Sequence, residues 1–470
     1  MTVSEILKRN EGKTLEFKRD ISSPRNILKT VVAFANTAGG VLLIGVDNET
    51  RQPDGITDPL EAEERLCNMI ADAVMPRVVP NVEITTVEGK TLLLVEVFLS
   101  SSRPHWLKSE GPETGVYVRL GSTNRQADRE LIAELRRSVE GVSFDEMPMP
   151  QLSIDDLDLD AARRAFSGER ELKEQALLTL KLLVQDQGKT VTSKGGMLLF
   201  GRNRTSHFPD CWVQCGRFIG TDKARIFDHI DIDEPLPQSV DSIMLFLKKH
   251  AMRGADFSEV RRRDVWNIPL GSLREAVINA LVHADWSQRG GPVRVAFFDD
   301  RIEIENPGIL PPGITVEDMR QGVSKIRNPV IARVFRDLKL IEQWGSGIPR
   351  IFRETAESGF PEPSINELAL RVRFVFPLGK ASQIQKSAQS GAQSGAQSGA
   401  QSPAILMALS DTPLSASELT TVLGLETKTG AFKRTIKDLL QQGLIEYTIP
   451  EKPNSRLQKY RLAKKGRQAL

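Results

Sequence analysis

The run Leu273-Arg-Glu-Ala-Val-Ile-Asn-Ala-Leu-Val-His-Ala-Asp-Trp286 spaces its apolar residues as a helix does. On that helix Glu275, Asn279 and His283 fall at i, i+4 and i+8 as one polar stripe, while Leu273, Val277, Ala280 and Leu281 pack elsewhere. The period then changes. Pro292-Val-Arg-Val-Ala-Phe-Phe298 and Arg301-Ile-Glu-Ile-Glu305 read as two strands around an Asp299-Asp300 turn, followed by the loop Asn306-Pro-Gly-Ile-Leu-Pro-Pro-Gly313. Trp344-Gly-Ser-Gly-Ile348 is a glycine turn leading into a helix. Backbone N–H groups of such a turn can approach an anion closely, and an Asn carbonyl suits a hard cation.

Upstream, Asn26 to Asn36 has helical spacing, and Thr37-Ala-Gly-Gly-Val-Leu-Leu-Ile-Gly-Val-Asp47 is a tight turn feeding a buried strand. Thr91 to Val97 and Val116 to Arg119 are further strand patterns. Met147-Pro-Met-Pro-Gln151 marks a boundary, after which 155–164 and 171–185 read as helices. Gln187-Gly-Lys-Thr190 has Leu183 where a phosphate loop has its leading glycine, and reads as a helix-ending turn. Thr192 to Gly201 and Val213 to Gly220 are strands or short buried helices, 239–250 is a helix, and Asn328-Pro329 caps another. Four Ala-Gln-Ser copies between Ala388 and Ser402 cannot bury a core and form a tether. Beyond it, three helices and a hairpin around Pro453-Asn454 close the chain.

At 470 residues the chain exceeds one core and suggests about three domains. A net charge of +2 with 26% charged residues confines any nucleic-acid affinity to local patches, such as the C-terminal region, where eleven Lys/Arg face six Asp/Glu from Pro403 onward. Arg261-Arg-Arg263 is a second basic cluster. No apolar run reaches membrane-span length and the N-terminus lacks a signal-peptide pattern, so the expected location is cytoplasmic. Cys67, Cys211 and Cys215 form no paired framework, and the last two read as buried thiols.

The series Glu11-Gly-Lys-Thr-Leu-Glu-Phe-Lys18, Ala33-Phe-Ala-Asn-Thr-Ala-Gly-Gly40, Ile44-Gly-Val-Asp47 and Tyr117-Val-Arg-Leu-Gly-Ser122 resembles the Schlafen/AlbA-like domain. That resemblance implies nucleic-acid binding, assigned to Lys18, Arg103, Arg119 and Arg125. Eukaryotic relatives cleave RNA with clustered carboxylates, which would here be Glu11, Glu16 and Asp47 around a divalent metal. The helix with Glu275 and Asn279, the hairpin, the acidic-Asn-x-Gly turn and the later Gly-x-Gly resemble the GHKL ATPase superfamily. By that resemblance Asn279 holds Mg²⁺ on ATP, Glu275 activates water, Glu305 reads the adenine, Gly308 shapes the first turn, Gly345 and Gly347 close over phosphates, and His283 lies near the nucleotide. Glu305 and Pro307 stand where the superfamily has Asp and Gly. The C-terminal helices and hairpin resemble a winged helix that presents Lys433, Arg434 and Lys437 to DNA.

The expected architecture is multidomain α/β and α+β: a Schlafen/AlbA-like domain over 1–140, a connecting domain over 150–260, a GHKL-like α/β sandwich over 261–380, a linker over 381–402 and a winged helix over 403–470. The implied function is ATP and DNA binding, as a transcriptional regulator whose DNA engagement nucleotide modulates. The alternative is a metal-dependent nuclease acting on RNA or DNA, a defence effector gated by ATP. A dimer is the expected assembly. These resemblances are to bacterial proteins of the helicase-related group, although no motor phosphate loop is present.

Overall fold

The computed structural model describes residues 2–166, 172–256, 263–341, 347–378, 405–410, 412–422, 430–451, 455 and 458–467. The tether and Gly345 lie outside the described residues. The chain divides into two compact units, one of residues 1–251 with 268–378 and one of 252–267 with 379–470.

In the first unit, β1 (Leu15–Lys18) runs parallel to β2 (Gly40–Ile44), with Leu15 opposite Val41. Parallel strands need a crossover, and α1 (Pro24–Thr37) provides it. Gly39, at φ 72°, turns the chain out of that helix, and a Cβ there would lie 2.9 Å from the Val97 carbonyl oxygen, so the turn requires glycine. Helix α2 is Pro59–Ala73, and β3 (Asn81–Val87) with β4 (Lys90–Val97) completes a sheet in the order β1-β2-β4-β3. Alternation along β2 sends Leu42 and Ile44 to a core with Val31, Phe34 and Leu66, and Leu43 to a second core with Leu15 and Phe17.

Strands β5 (Tyr117–Leu120) and β6 (Thr123–Gln126) form a hairpin ahead of α3 (Arg129–Glu140), whose N-cap Asp128 accepts from Leu131 N–H at 2.8 Å. Val118, Leu131 and Leu135 pack with Ile309, so α3 is covered by a loop far along the chain. The expected helix over 171–185 is only Glu174–Thr179 long. Residues Leu183–Asp186 instead pair with Lys189–Ser193. Gln187 and Gly188 have φ 46° and 80°, so Gln187-Gly188 is a two-residue hairpin turn and not a helix end. Helix α4 (Lys194–Phe200) follows.

A six-stranded sheet forms the rest of this unit: β7 (Val213–Phe218), β8 (Ile226–Ile232), β9 (Val293–Phe297), β10 (Arg301–Pro307), β11 (Ser364–Leu368) and β12 (Arg371–Pro377), in the order β8-β7-β9-β10-β12-β11. Its one parallel pairing joins β7 to β9. Two strands therefore come from the 150–260 segment, and a boundary at 260 would cut through the sheet. The longer helices of this region are α5 (Leu236–His250), α6 (Leu270–His283), α7 (Pro329–Asp337) and α8 (Gly347–Glu357); α6 packs on β10, α5 and α8. Cys211 and Cys215 are buried, and burial pushes the Cys211 thiol up to about 12.

Two polar clasps hold α7. Asn328 donates through Nδ2 to the Val282 and Ala284 carbonyls at 2.8 and 2.7 Å, closing the C-terminal end of α6. Asp145 Oδ2 accepts from Val330 N–H at 2.8 Å and Ile331 N–H at 3.0 Å, capping α7 from a distant part of the chain. Burial pushes the Asp145 carboxyl up to about 7, outweighing those two donors, which favour its charged form. A raised carboxyl pKa means that the folded state binds more protons than the unfolded state between pH ~4 and ~7. Its contribution to stability therefore falls as pH rises through that window, by about 4 kcal/mol. Asp145→Asn should flatten the dependence measured by urea unfolding at pH 5 and pH 8; an unchanged slope would remove Asp145 as its source.

The second unit contains the hairpin Arg253–Asp256 with Arg263–Trp266, a helical turn at 405–408, α9 (Ala416–Val422), α10 (Gly430–Gln441) and the pair β13 (Ile445–Tyr447) and β14 (Tyr460–Leu462). Ile405, Leu419, Phe432, Ile436 and Leu462 share its core. Among the described residues no helix is long and apolar enough to cross a membrane.

Candidate nucleotide site

A cavity of about 270 Å³ opens among α6, the β10–β12 face and the start of α8. Glu275, Asn279 and His283 all line it, because four-residue spacing puts them on one face of α6. Asn279 Nδ2 donates to the Glu275 carbonyl at 2.8 Å and to Glu275 Oε1 at 3.0 Å. This leaves its amide oxygen, a donor of the type Mg²⁺ takes, among the cavity-lining groups. Glu275 Oε2 pairs with Arg350 Nη2 at 2.5 Å. Gly347 begins α8 against the same carboxylate, where a Cβ would stand 2.1 Å from Glu275 Oε1 and would displace that side chain. Burial first, and the Arg327 charge second, lower the His283 pKa to about 4, so this ring is neutral at physiological pH.

Glu305 does not line this cavity. It alternates onto the opposite sheet face and pairs with Arg371 at 2.5 Å and with Arg373 at 2.8 Å. Burial opposes its ionisation, but the Arg373 hydrogen bond and both arginine charges hold its pKa below the usual range. Asn306, one residue later, shares the cavity face with Val372 and Phe374. It is a polar group that sequence reasoning missed, as are Lys325, Arg336 and Arg350; carrying the strand alternation beyond Glu305 would have found Asn306. Gly308 (φ 99°) turns the chain where a Cβ would strike Arg327. Lys325, Arg336 and Arg350 add positive charge to the lining.

The N-terminal assignments separate differently. Arg119 is 1% exposed, forms an ion pair with Glu16, and donates to the Gly12 carbonyl at 3.0 Å and to Asn124 Oδ1 at 3.0 Å. It fastens β5 to β1 and presents no face to a ligand. Lys18 also pairs with Glu16. Glu11 Oε1 accepts from Phe17 N–H at 2.8 Å, and Asp47 Oδ1 accepts from Glu49 and Thr50 N–H at 3.1 and 2.8 Å in its own turn. Glu11 and Asp47 serve bonds within their own segments and Glu16 is held by Arg119 and Lys18; among the described residues no group of three or more His, Cys, Asp or Glu could hold a metal ion. Arg103 donates to Ser138 Oγ at 3.2 Å, whereas Arg125 is exposed. On α10, Lys437 is exposed; the Lys433 and Arg434 side chains lie outside the description, as do Arg261 and Arg262.

Residues 11–128 match the family described as Schlafen, AlbA_2. Residues 290–376 match HATPase_c_4, described for the C-terminal region of ATP-dependent DNA helicase recG. The second match begins after α6, so Glu275 and Asn279 lie outside it. Residues 400–463 match the C-terminal domain of Fic-like proteins, the filamentation-induced-by-cAMP group. No curated protein matches. Among solved structures, the DIP2311 protein from Corynebacterium diphtheriae is 19% identical with 98% of each chain covered and a TM-score of 0.41. The N-terminal domain of a RecG-related protein from Nitrosomonas europaea is 29% identical over 27% of this chain and 94% of its own, with a TM-score of 0.23. A Fic family protein from Desulfovibrio desulfuricans G20 is 13% identical over 72% of this chain and 77% of its own, with a TM-score of 0.13. The chain thus carries a region of the Schlafen, AlbA_2 type followed by one of the HATPase_c_4 type.

Proposed function

We propose that the protein binds ATP with Mg²⁺ in the α6 cavity and binds DNA elsewhere, and that it is a transcriptional regulator whose hold on DNA depends on nucleotide. The observation that carries the first part is the convergence of Asn279 and Glu275, from the helix just before the HATPase-matching segment, with Gly347 inside that segment on one cavity. Asn279 offers an amide oxygen to the metal, and Asn306 offers a polar group to the base. Lys325, Arg336 and Arg350 supply charge for the phosphates. Bound Mg²⁺ would neutralise phosphate charge and ease attack on the terminal phosphorus. In this reading Glu275 takes a proton from attacking water once Arg350 releases it.

DNA contact is assigned to exposed Arg125 and to the α10 cations, through a winged-helix arrangement of the second unit. Calorimetry with Mg·ATP tests the nucleotide reading. Wild type should bind saturably and Asn279→Ala should bind at least about tenfold more weakly, the equivalent of ~1.4 kcal/mol. Absence of binding by wild type would sink the proposal. ATP that leaves DNA affinity unchanged would remove the regulatory part alone.

A further inference from the structure

A second cavity, of about 160 Å³, lies in the first unit where α3 meets the loop before α7. Arg137 and Ser138 from α3, with Lys325 and Arg327 from the loop, supply polar lining. Pro311, Lys325 and Ile326 form part of its wall and also line the nucleotide cavity.

Its charges are not balanced. The Arg327 side chain is 7% exposed; Nη2 bonds to the Ile309 carbonyl and pairs with Glu134 Oε1 at 3.0 Å, whereas Nε and Nη1 are buried without a hydrogen-bond partner. A guanidinium in that state lacks part of the compensation a buried charge requires. Arg137 lies over the Phe144 ring at 5.4 Å and Lys194 lies over the same ring at 4.2 Å, which brings two cations together. Lys194 is lowered by burial and then by Arg137, while Lys325 is lowered by burial and then by Arg103. Burial is the larger cause in both cases; the arginine contributions behind it mark neighbouring positive charge, which Glu134 partly opposes at Lys325.

Two carboxyl groups, Glu134 and Asp285, also line it. Burial, ahead of all other causes, pushes Glu134 up to about 7, so it offsets only part of a unit charge near neutrality. The charge of Asp285, and a side-chain hydrogen bond with that neighbour, raise Glu134 further, so the two carboxyl groups are tied to each other. Three lining cations, with Arg103 and Lys194 behind them, exceed that compensation.

We propose that this cavity is a binding site for a small phosphate-bearing anion, distinct from the nucleotide cavity and sharing the Lys325 wall with it. The ligand would accept from the free Arg327 N–H groups, from Arg137 and from Lys325. The available volume is that of about five liquid waters, enough for a phosphate group and too small for a nucleoside.

The test is calorimetric titration of the full chain with pyrophosphate at fixed ionic strength, using wild type, Arg137→Gln, Lys325→Met and Asn279→Ala, with thermal melts confirming that each variant folds. Saturable binding that weakens at least about tenfold in Arg137→Gln and in Lys325→Met, yet persists in Asn279→Ala, supports the site. Absence of saturable binding overturns it, as does binding lost in Asn279→Ala and unchanged in Arg137→Gln, which would put the anion in the nucleotide cavity. If Arg137→Gln does not fold, persistence of pyrophosphate binding in wild type saturated with Mg·ATP decides for the second site, and full competition decides against it. Displacement by a single-stranded oligodeoxynucleotide would assign the phosphate to a nucleic-acid strand and overturn the small-molecule source.

Discussion

Glu275→Gln is expected to keep Mg·ATP binding and to lower phosphate release under saturating ATP by about 100-fold or more, the range that removal of a general base produces. The exchange keeps the side chain's length and its hydrogen bond from Asn279, and removes the charge that pairs with Arg350. Wild type must hydrolyse ATP measurably for this result to appear. Equal rates in the two proteins would show that Glu275 is not the base, leaving the Asn279 metal role untouched. Arg350→Ala frees the carboxylate and spares the base but also removes one phosphate-facing charge, so Mg·ATP binding should weaken while the rate at saturating ATP falls less than in Glu275→Gln.

Arg119→Ala should destabilise the first unit by about 3 kcal/mol, the low end for breaking a buried pair because Lys18 still partly compensates Glu16. Urea unfolding followed by tryptophan fluorescence provides the measure. The variant also loses donors to the Gly12 and Leu15 carbonyls, so unpaired backbone adds to the cost. Arg125→Ala, an exposed change on the neighbouring strand, should leave stability within about 0.5 kcal/mol. If Arg119→Ala proves as stable as wild type but loses nucleic-acid affinity, the fastening role assigned to Arg119 is wrong.

The sequence made α6 legible because a 3.6-residue period over fourteen positions has no good alternative as a strand. It placed Glu275, Asn279 and His283 together for the same reason, and all three line one cavity. Asn306 escaped because the strand was ended at Glu305, whereas β10 continues to Pro307. By residue type Arg119 reads as a surface contact, whereas its partner Glu16 lies 103 residues away and leaves no local trace of the buried pair. The same limit hid the six-stranded sheet: β7 pairs with β9, and nothing near Val213 announces that Val293 will lie beside it. Local turn chemistry was available at Gln187-Gly188 but was overruled by an overlong helix.

The two clasps on α7 bear on how such a chain can be inherited. Asn328 closes α6, which precedes the matched HATPase segment, and Asp145 caps α7 from beyond the end of the matched Schlafen segment. A recombination event that moved residues 290–376 alone would carry away the amides at Val330 and Ile331 without their acceptor and strand the α6 carbonyls in an apolar interior. The heritable module in this protein is therefore larger than either recognised segment, and the sequence between them is constrained by the closure of two helices.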